Sequence, residues 1–480
     1  MVIYKKSGRL LPCREKKRKL VVIALQTRLR RTDTDMTKGS VLGRLVAFAV
    51  PLLIGNIFQQ LYNTVDSVVV GNFVGKEALA AVGSVAPVVN MLIGFFNGFA
   101  TGAGVIISRY YGAQQKENVH IAVQTTIAMT ILMSVVLSIC GVLLTPALLR
   151  MMKTPEDVIA HSSEYLRIYF AGLSGLLLYN MGAGILRAVG DTRRPLYFLI
   201  FSAVTNTVLD LLFVTVFHMG VSGVAIATIL AQFASAVLVM VVLTRSTSDY
   251  RIVWRGMRLN KKMFGSICRL GFPAAVQLAV TSFSNIFVQS YINRFGADCM
   301  AGWTSHNKID SFVLLPIMTI SLAVTTFVGQ NLGAGDQARA RQGTRTALLL
   351  AEGVTAVLLV PLMLLSPQLI SLFNQEPEVL RYGTLFIRIV SPFYLVICIN
   401  QVLSGSLRGA GDSRNSVLII LASFVVFRQI YLAITYRVWG TVVAVALGYP
   451  AGWVLCSVLL LCYYRSGKWK KASIFKEKTQ

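Results

Sequence analysis

Four carboxylic acids stand inside long apolar runs, where an ionisable side chain marks a functional site by default: Asp66, Asp210, Asp310 and Glu352. On a helix, Asp66 lies one turn after Tyr62, and Asp210 one turn after Asn206, so each acid shares a face with a polar neighbour. Burial disfavours a charged carboxylate, so such a group can take up a proton at one membrane face and release it at the other. The same oxygens, together with Asn206 and Thr228, also suit a small hard cation such as Na⁺. The residues leave H⁺ and Na⁺ both open. Asp310 with the nearby Lys308 forms a second candidate pair, whereas Glu352 reads as a side chain meeting water from a tilted helix.

The elements that hold these residues follow from composition. The 480 residues are 55 % apolar and 14 % charged, with a mean hydropathy of +0.65, far from the usual soluble chain. Disorder and a small disulfide scaffold are excluded. Twelve apolar runs are long enough to cross a bilayer at ~20 residues each, six within residues 46–243 and six within 272–463. The expected fold is all-α and polytopic. The seven cysteines form neither a CxxC nor a Cys/His cluster, so no zinc site or disulfide framework is indicated. No Walker lysine motif, nucleotide fingerprint or HExxH occurs, which leaves nothing to argue for ATP drive or hydrolysis.

The net charge of +26 has a topological explanation. With both termini on the cytoplasmic side, 36 of the 46 Lys and Arg residues fall in the tails and inner loops, as the positive-inside rule requires. A nucleic-acid partner is therefore not called for, and membrane lipid is. Residues 1–40 read as a basic tail in which Met36-Thr37-Lys38-Gly39-Ser40 resembles a natural start. Translation is expected to begin at Met36, and the intact mass of the protein made from its own gene tests this.

The chain repeats itself. Gly184-Ile-Leu-Arg-Ala-Val-Gly-Asp-Thr-Arg193 returns as Gly405-Ser-Leu-Arg-Gly-Ala-Gly-Asp-Ser-Arg414, an offset of 221 residues. Gly112-Ala113 and Gly333-Ala334 obey the same offset, and Pro51 and Pro273 differ by 222. Six spans per half is an even number, so the two halves enter from the same side and form a parallel repeat. The boundaries expected are a tail at 1–40, an N-lobe at 41–244, a linker at 245–266, a C-lobe at 267–464 and a basic tail at 465–480. In the duplicated GxLRxxGDxR element, Gly and Asp suit a tight turn, and the Arg is expected at a helix end or on lipid phosphate. The repeat also isolates the acids: at the offset of 221, Asp66, Asp210, Asn206 and Tyr62 correspond to Phe287, Tyr431, Phe427 and Phe283. Confinement to one half fits a specialised ion site better than a scaffold.

Further motifs are Gln59-Gln60-Leu61-Tyr62-Asn63 with Val65-Asp66-Ser67, then Ala78-Leu79-Ala80-Ala81-Val82-Gly83, and Gly329-Gln330-Asn331-Leu332-Gly333-Ala334-Gly335. With Pro51 and the duplicated LRxxGD, they make the stretch from about Met36 to Tyr464 resemble the multidrug and toxic compound extrusion (MATE) family of secondary transporters. The resemblance implies two six-helix bundles in a V, cation-driven export of amphipathic and often cationic drugs by alternating access, residence in the cytoplasmic membrane, and no cofactor beyond the coupling ion. Its DinF-like branch, with acids in the N-lobe, matches best: Asp66, Asn206, Asp210 and Thr228 fall on that branch's cation-binding positions, with Asn180 as an addition. Tyr62 also matches, and Pro51 falls where a helix-one proline permits bending. Where another branch has a glutamate in helix seven and an aspartate in helix ten, this chain offers Gln277, Ser282, Asn400 and Gln401. The expectation is a monomeric antiporter with its ion site in the N-lobe and no enzymatic activity. The alternative is a flippase for a lipid-linked oligosaccharide or cell-wall precursor, which would want a cationic central cavity.

Overall fold

The computed structural model describes residues 35–74, 76–152 and 156–469; within these stretches, the side chains of residues 62, 63, 65–68, 72, 76–80, 86, 87 and 157 are not described. Residues 1–34, where most of the basic tail falls, lie outside the described residues, as do the side chains of Asp66 and Tyr62. All regular structure among the described residues is helical. A bilayer leaves the backbone no water to bond, so apolar runs of this length satisfy themselves as helices.

Among the described residues, eleven helices are long and apolar enough to cross a membrane. In chain order, spans 1 to 3 are Val41–Leu61, Ala81–Gly112 and Lys116–Met151. Spans 5 to 8 are Arg193–Val216, Gly220–Arg245, Lys261–Phe295 and Ala297–Gly333. Spans 9 to 12 are Gln337–Leu364, Pro377–Gly409, Ser413–Val438 and Val442–Arg465. Span 4 is a pair, Val158–Ala171 and Leu173–Ala188, bent by 49°. The break falls at Gly172, where an added Cβ would strike Ile229 of span 6. The equivalent break in span 10 is the short 3-10 turn Ser391–Phe393, which contains Pro392. One half interrupts its helix at a glycine that a neighbour crowds, the other at a 3-10 turn that holds a proline.

Each lobe has its own core, but the first turns of spans 1 and 7 cross over. Val41, Leu45 and Phe48 are buried with Val324, Phe327 and other C-lobe side chains. Met263, Ile267 and Leu270 are buried with Val119, Val123 and Ile127 of the N-lobe. These two triplets stand 222 residues apart in register, as do Pro51 and Pro273, one turn further on. Each proline therefore sits where its helix leaves the opposite lobe, and the missing N–H makes that point the easiest to bend.

The lobes touch through glycines. Span 2 lies so close to span 7 that a Cβ on Gly102 would stand 2.6 Å from the Gly271 nitrogen. At the end of the molecule that carries residue 35, a Cβ on Gly112 would meet the Gln330 carbonyl, and one on Gly333 would meet the Arg109 carbonyl. Because Arg109 and Gln330, like Gly112 and Gly333, are 221 residues apart, the contact is its own mirror about a pseudo-two-fold axis.

The duplicated motif forms the same helix stop twice. Gly190 (φ 94°) and Gly411 (φ 86°) adopt the left-handed conformation that glycine tolerates. The Asp191 N–H then donates to Leu186 O at 2.9 Å, and the Asp412 N–H to Leu407 O at 2.9 Å. Asp191 Oδ1 accepts from the Arg194 N–H at 3.1 Å, capping the start of span 5.

Candidate ion site and substrate cavity

Span 5 carries Asn206 and Asp210 on one face, one turn apart, and span 6 brings Thr228 against them. All three are enclosed, with Asp210 0 %, Asn206 1 % and Thr228 4 % exposed. With the Asn206 amide turned to suit its neighbours, its nitrogen donates to Asp210 Oδ2 at 2.8 Å and its oxygen accepts from the Thr228 N–H at 3.2 Å. Immediately beyond Asp210 the helix widens into a π turn, Leu212–Val216, an irregularity that recurs at functional sites. Carboxylate, amide and hydroxyl oxygens thus converge in an enclosed cluster, a set able to hold a proton or a small hard cation.

One turn before this group, Ser202 and Ala203 of span 5 line a cavity with about 110 Å³ of room for water. Pro51 and Asn56 of span 1, Tyr179, Asn180 and Arg187 of span 4, and Gln232 and Ser235 of span 6 share its walls with Leu176, Leu196 and Leu199. Asn180 points into this cavity, donates to Leu176 O at 2.9 Å, and has no hydrogen bond to Asp210 among the described residues. Asp66 follows Asn56 by ten residues along the same helix, Val41–Val69, and its side chain is not described.

The arginines of the duplicated motif stand in the last turn of their helices, as expected, but turn inward rather than toward lipid. Arg187 lines the N-lobe cavity and a smaller crevice between the lobes, which Thr101 and Ser108 of span 2 and Thr325 and Thr326 of span 8 complete. Arg408 turns into the C-lobe and donates to Ser404 Oγ at 2.9 Å and Ser321 Oγ at 3.3 Å. The Leu-Arg pair places Arg on the inner face because the helix stop turns the chain only after it.

The C-lobe inverts the polarity of the N-lobe. One residue beyond the equivalent of Asn206 stands Arg428, 2 % exposed, which donates to Ser284 Oγ at 2.7 Å and Asn285 Oδ1 at 2.9 Å. Its guanidinium lies 4.8 Å from the centre of the Tyr449 ring. An arginine in the middle of an apolar run was the sequence signal for this buried cation. Gln277 of span 7 makes no hydrogen bond to it, nor to the Asp210 group, among the described residues.

Lys308 and Asp310 do not pair. Lys308 is exposed with its Nζ 5.7 Å from the Phe373 ring centre, whereas Asp310 turns inward to the Tyr394 hydroxyl. Two residues apart on a helix, they face roughly opposite sides. His306, one turn before Asp310, is 2 % exposed and packs on Trp303 at 5.1 Å. Its burial was not legible from one histidine in an apolar run.

The MatE family profile matches residues 51–212 and again 273–434, one match per lobe. The chain is 31 % identical over 446 residues to "Probable multidrug resistance protein YpnP" of Bacillus subtilis, covering 92 % of this chain and 99 % of that one. It is 32 % identical over 446 residues to "Probable multidrug resistance protein YoeA" of the same organism, covering 91 % and 96 %. Among solved structures, "Outward-facing conformation of a multidrug resistance MATE family transporter of the MOP superfamily" superposes with a TM-score of 0.85 at 24 % identity, covering 92 % of this chain and 99 % of that chain. With two copies of the family profile, one in each six-span lobe, the chain belongs to the MATE family of multidrug efflux transporters.

Proposed function

We propose that this transporter exports amphipathic organic compounds, many of them cationic, in exchange for H⁺ or Na⁺ bound at Asp210 with Asn206 and Thr228, and at Asp66 of the helix Val41–Val69. The observation that carries the reading is the enclosed carboxylate of Asp210, held by Asn206 one turn beyond the N-lobe cavity. An ion there and a solute in the cavity compete for one protein state, which is the coupling antiport needs. Pro51 lines that cavity at the point where span 1 leaves the C-lobe core, so bending of span 1 links the cavity to lobe movement. The names of its relatives support drug export.

The protein resides in the cytoplasmic membrane with both termini inside, in keeping with its inner-loop excess of Lys and Arg. The sealed end around Gly112 and Gly333 then faces the cytoplasm. It works as a monomer among lipids, without a cofactor beyond the coupling ion.

The test is ethidium efflux from proteoliposomes under a pH gradient and, separately, a Na⁺ gradient, with wild type, Asp66→Asn and Asp210→Asn side by side. Efflux driven by one gradient and lost in both variants supports the reading and names the ion. Normal gradient-driven efflux by both variants would remove the N-lobe acids from the mechanism.

A further inference from the structure

Arg187 is the odd member of the interior arginines. Arg408 is met by two serine hydroxyls, and Arg428 by Ser284, Asn285 and the Tyr449 face. Arg187 turns instead into open space, lining both the N-lobe cavity and the interlobe crevice. No carboxylate pairs with it among the described residues, where the ion pairs are Lys116–Asp249, Arg194–Asp191 and Arg381–Glu378. The acid of its own motif, Asp191, lies 3.3 Å from Arg194 on the far side of the helix stop. Tyr179, its phenolic neighbour, donates to Pro195 O at 3.2 Å.

A guanidinium keeps its proton, and a lone charge withdrawn from bulk water is costly until an anion meets it. Its planar fork matches the two oxygens of a carboxylate or phosphate. The surroundings suit the rest of such a molecule: Pro51, Leu176, Leu196 and Leu199 offer apolar wall, while Asn180 and Gln232 offer amides. We infer that Arg187 binds an acidic group, carboxylate or phosphate, borne by the amphipathic compound in the N-lobe cavity. The inference rests on reading that cavity as the substrate chamber. It divides substrates by charge: a zwitterion places its acid on Arg187 and its cationic end toward the Asp210 side, while a molecule with only positive charge loses this contact.

Rhodamine 110 and its methyl ester, rhodamine 123, form a matched pair of fluorescent probes that differ in one carboxylate. Binding to the full-length protein in phosphatidylcholine nanodiscs is measured by fluorescence anisotropy. Rhodamine 110 is expected to bind about tenfold more tightly than its ester, the scale of one charge-assisted hydrogen-bond pair. Arg187→Gln should erase that ratio by weakening rhodamine 110 relative to rhodamine 123, and Arg187→Lys should keep much of it. If Arg187→Gln does not fold, competition on the wild type decides: benzoate should displace rhodamine 110 and benzamide should not. Equal affinity for the two dyes, or an unchanged ratio in a folded Arg187→Gln, overturns the assignment. Loss of the preference in phosphatidylglycerol nanodiscs alone would give the site to a lipid headgroup and overturn its assignment to solute. Failure of both dyes to bind the wild type would overturn the chamber reading itself, whereas binding of rhodamine 123 without the preference overturns only the role of Arg187.

Discussion

Gln330 Nε2 donates to the Ala188 carbonyl at 2.9 Å, tying the end of span 8 in one lobe to the end of span 4 in the other. A corresponding bond runs the opposite way, from Arg109 Nη1 to the carbonyl of Ala410, one residue past the equivalent of Ala188, at 3.4 Å. The Gln330 side-chain oxygen accepts in turn from the Met36 N–H at 3.1 Å, and Met36 is fully buried, so the segment entering span 1 is stitched into the same seal.

If this pair of bonds holds one end closed, Gln330→Ala should loosen it. A lost hydrogen bond of about 1 kcal/mol corresponds to a roughly fivefold rise in the opened population. Maleimide labelling of a cysteine placed at Ala113 measures this, and labelling at the wild-type rate would show that the bond has no part in closure.

Gly112→Ala and Gly333→Ala should be more damaging, because each methyl meets the backbone of the opposite lobe rather than a flexible side chain. The lobes must then separate at this end, with an expected cost of about 2 kcal/mol or more in the closed state. Spin labels on spans 2 and 8 should report a longer distance in both variants, and unchanged distances would count against the pseudo-symmetric contact.

Asp210→Asn keeps the size and much of the hydrogen bonding of the enclosed group while removing its charge. Folding and membrane abundance should hold, and gradient-driven efflux should fall at least tenfold. Thr228→Val, which removes one oxygen, should weaken coupling less. A variant pair with wild-type efflux would point to a structural role for this cluster.

Gln114 has φ 57° where the second lobe places Gly335 at φ 82°. A left-handed conformation costs a residue with a side chain roughly 1 kcal/mol. Gln114→Gly is therefore expected to raise the thermal midpoint in detergent slightly and Gly335→Ala to lower it, both read by a thermal-shift assay. A fall in stability for Gln114→Gly would show that the glutamine side chain outweighs the backbone strain.

Much was legible in the chain itself, because a bilayer makes local rules decisive. Apolar runs of sufficient length must be helices, the offset of 221 residues exposes the duplication, and an acid in such a run has few reasons to be there. Asn206 and Asp210 share a helix face by spacing alone. What spacing leaves open is which way a face points and what meets it. Only the tertiary structure sets Thr228 against Asn206, turns Arg187 and Arg408 inward, buries Arg428 under Tyr449 and sends Lys308 and Asp310 to different surroundings. It also crosses the first turns of spans 1 and 7 into the opposite lobes, which boundaries drawn from apolar runs do not anticipate. The physical reason is that helix formation in a membrane is satisfied within each span, whereas the direction of a polar side chain depends on neighbours that lie scores of residues away.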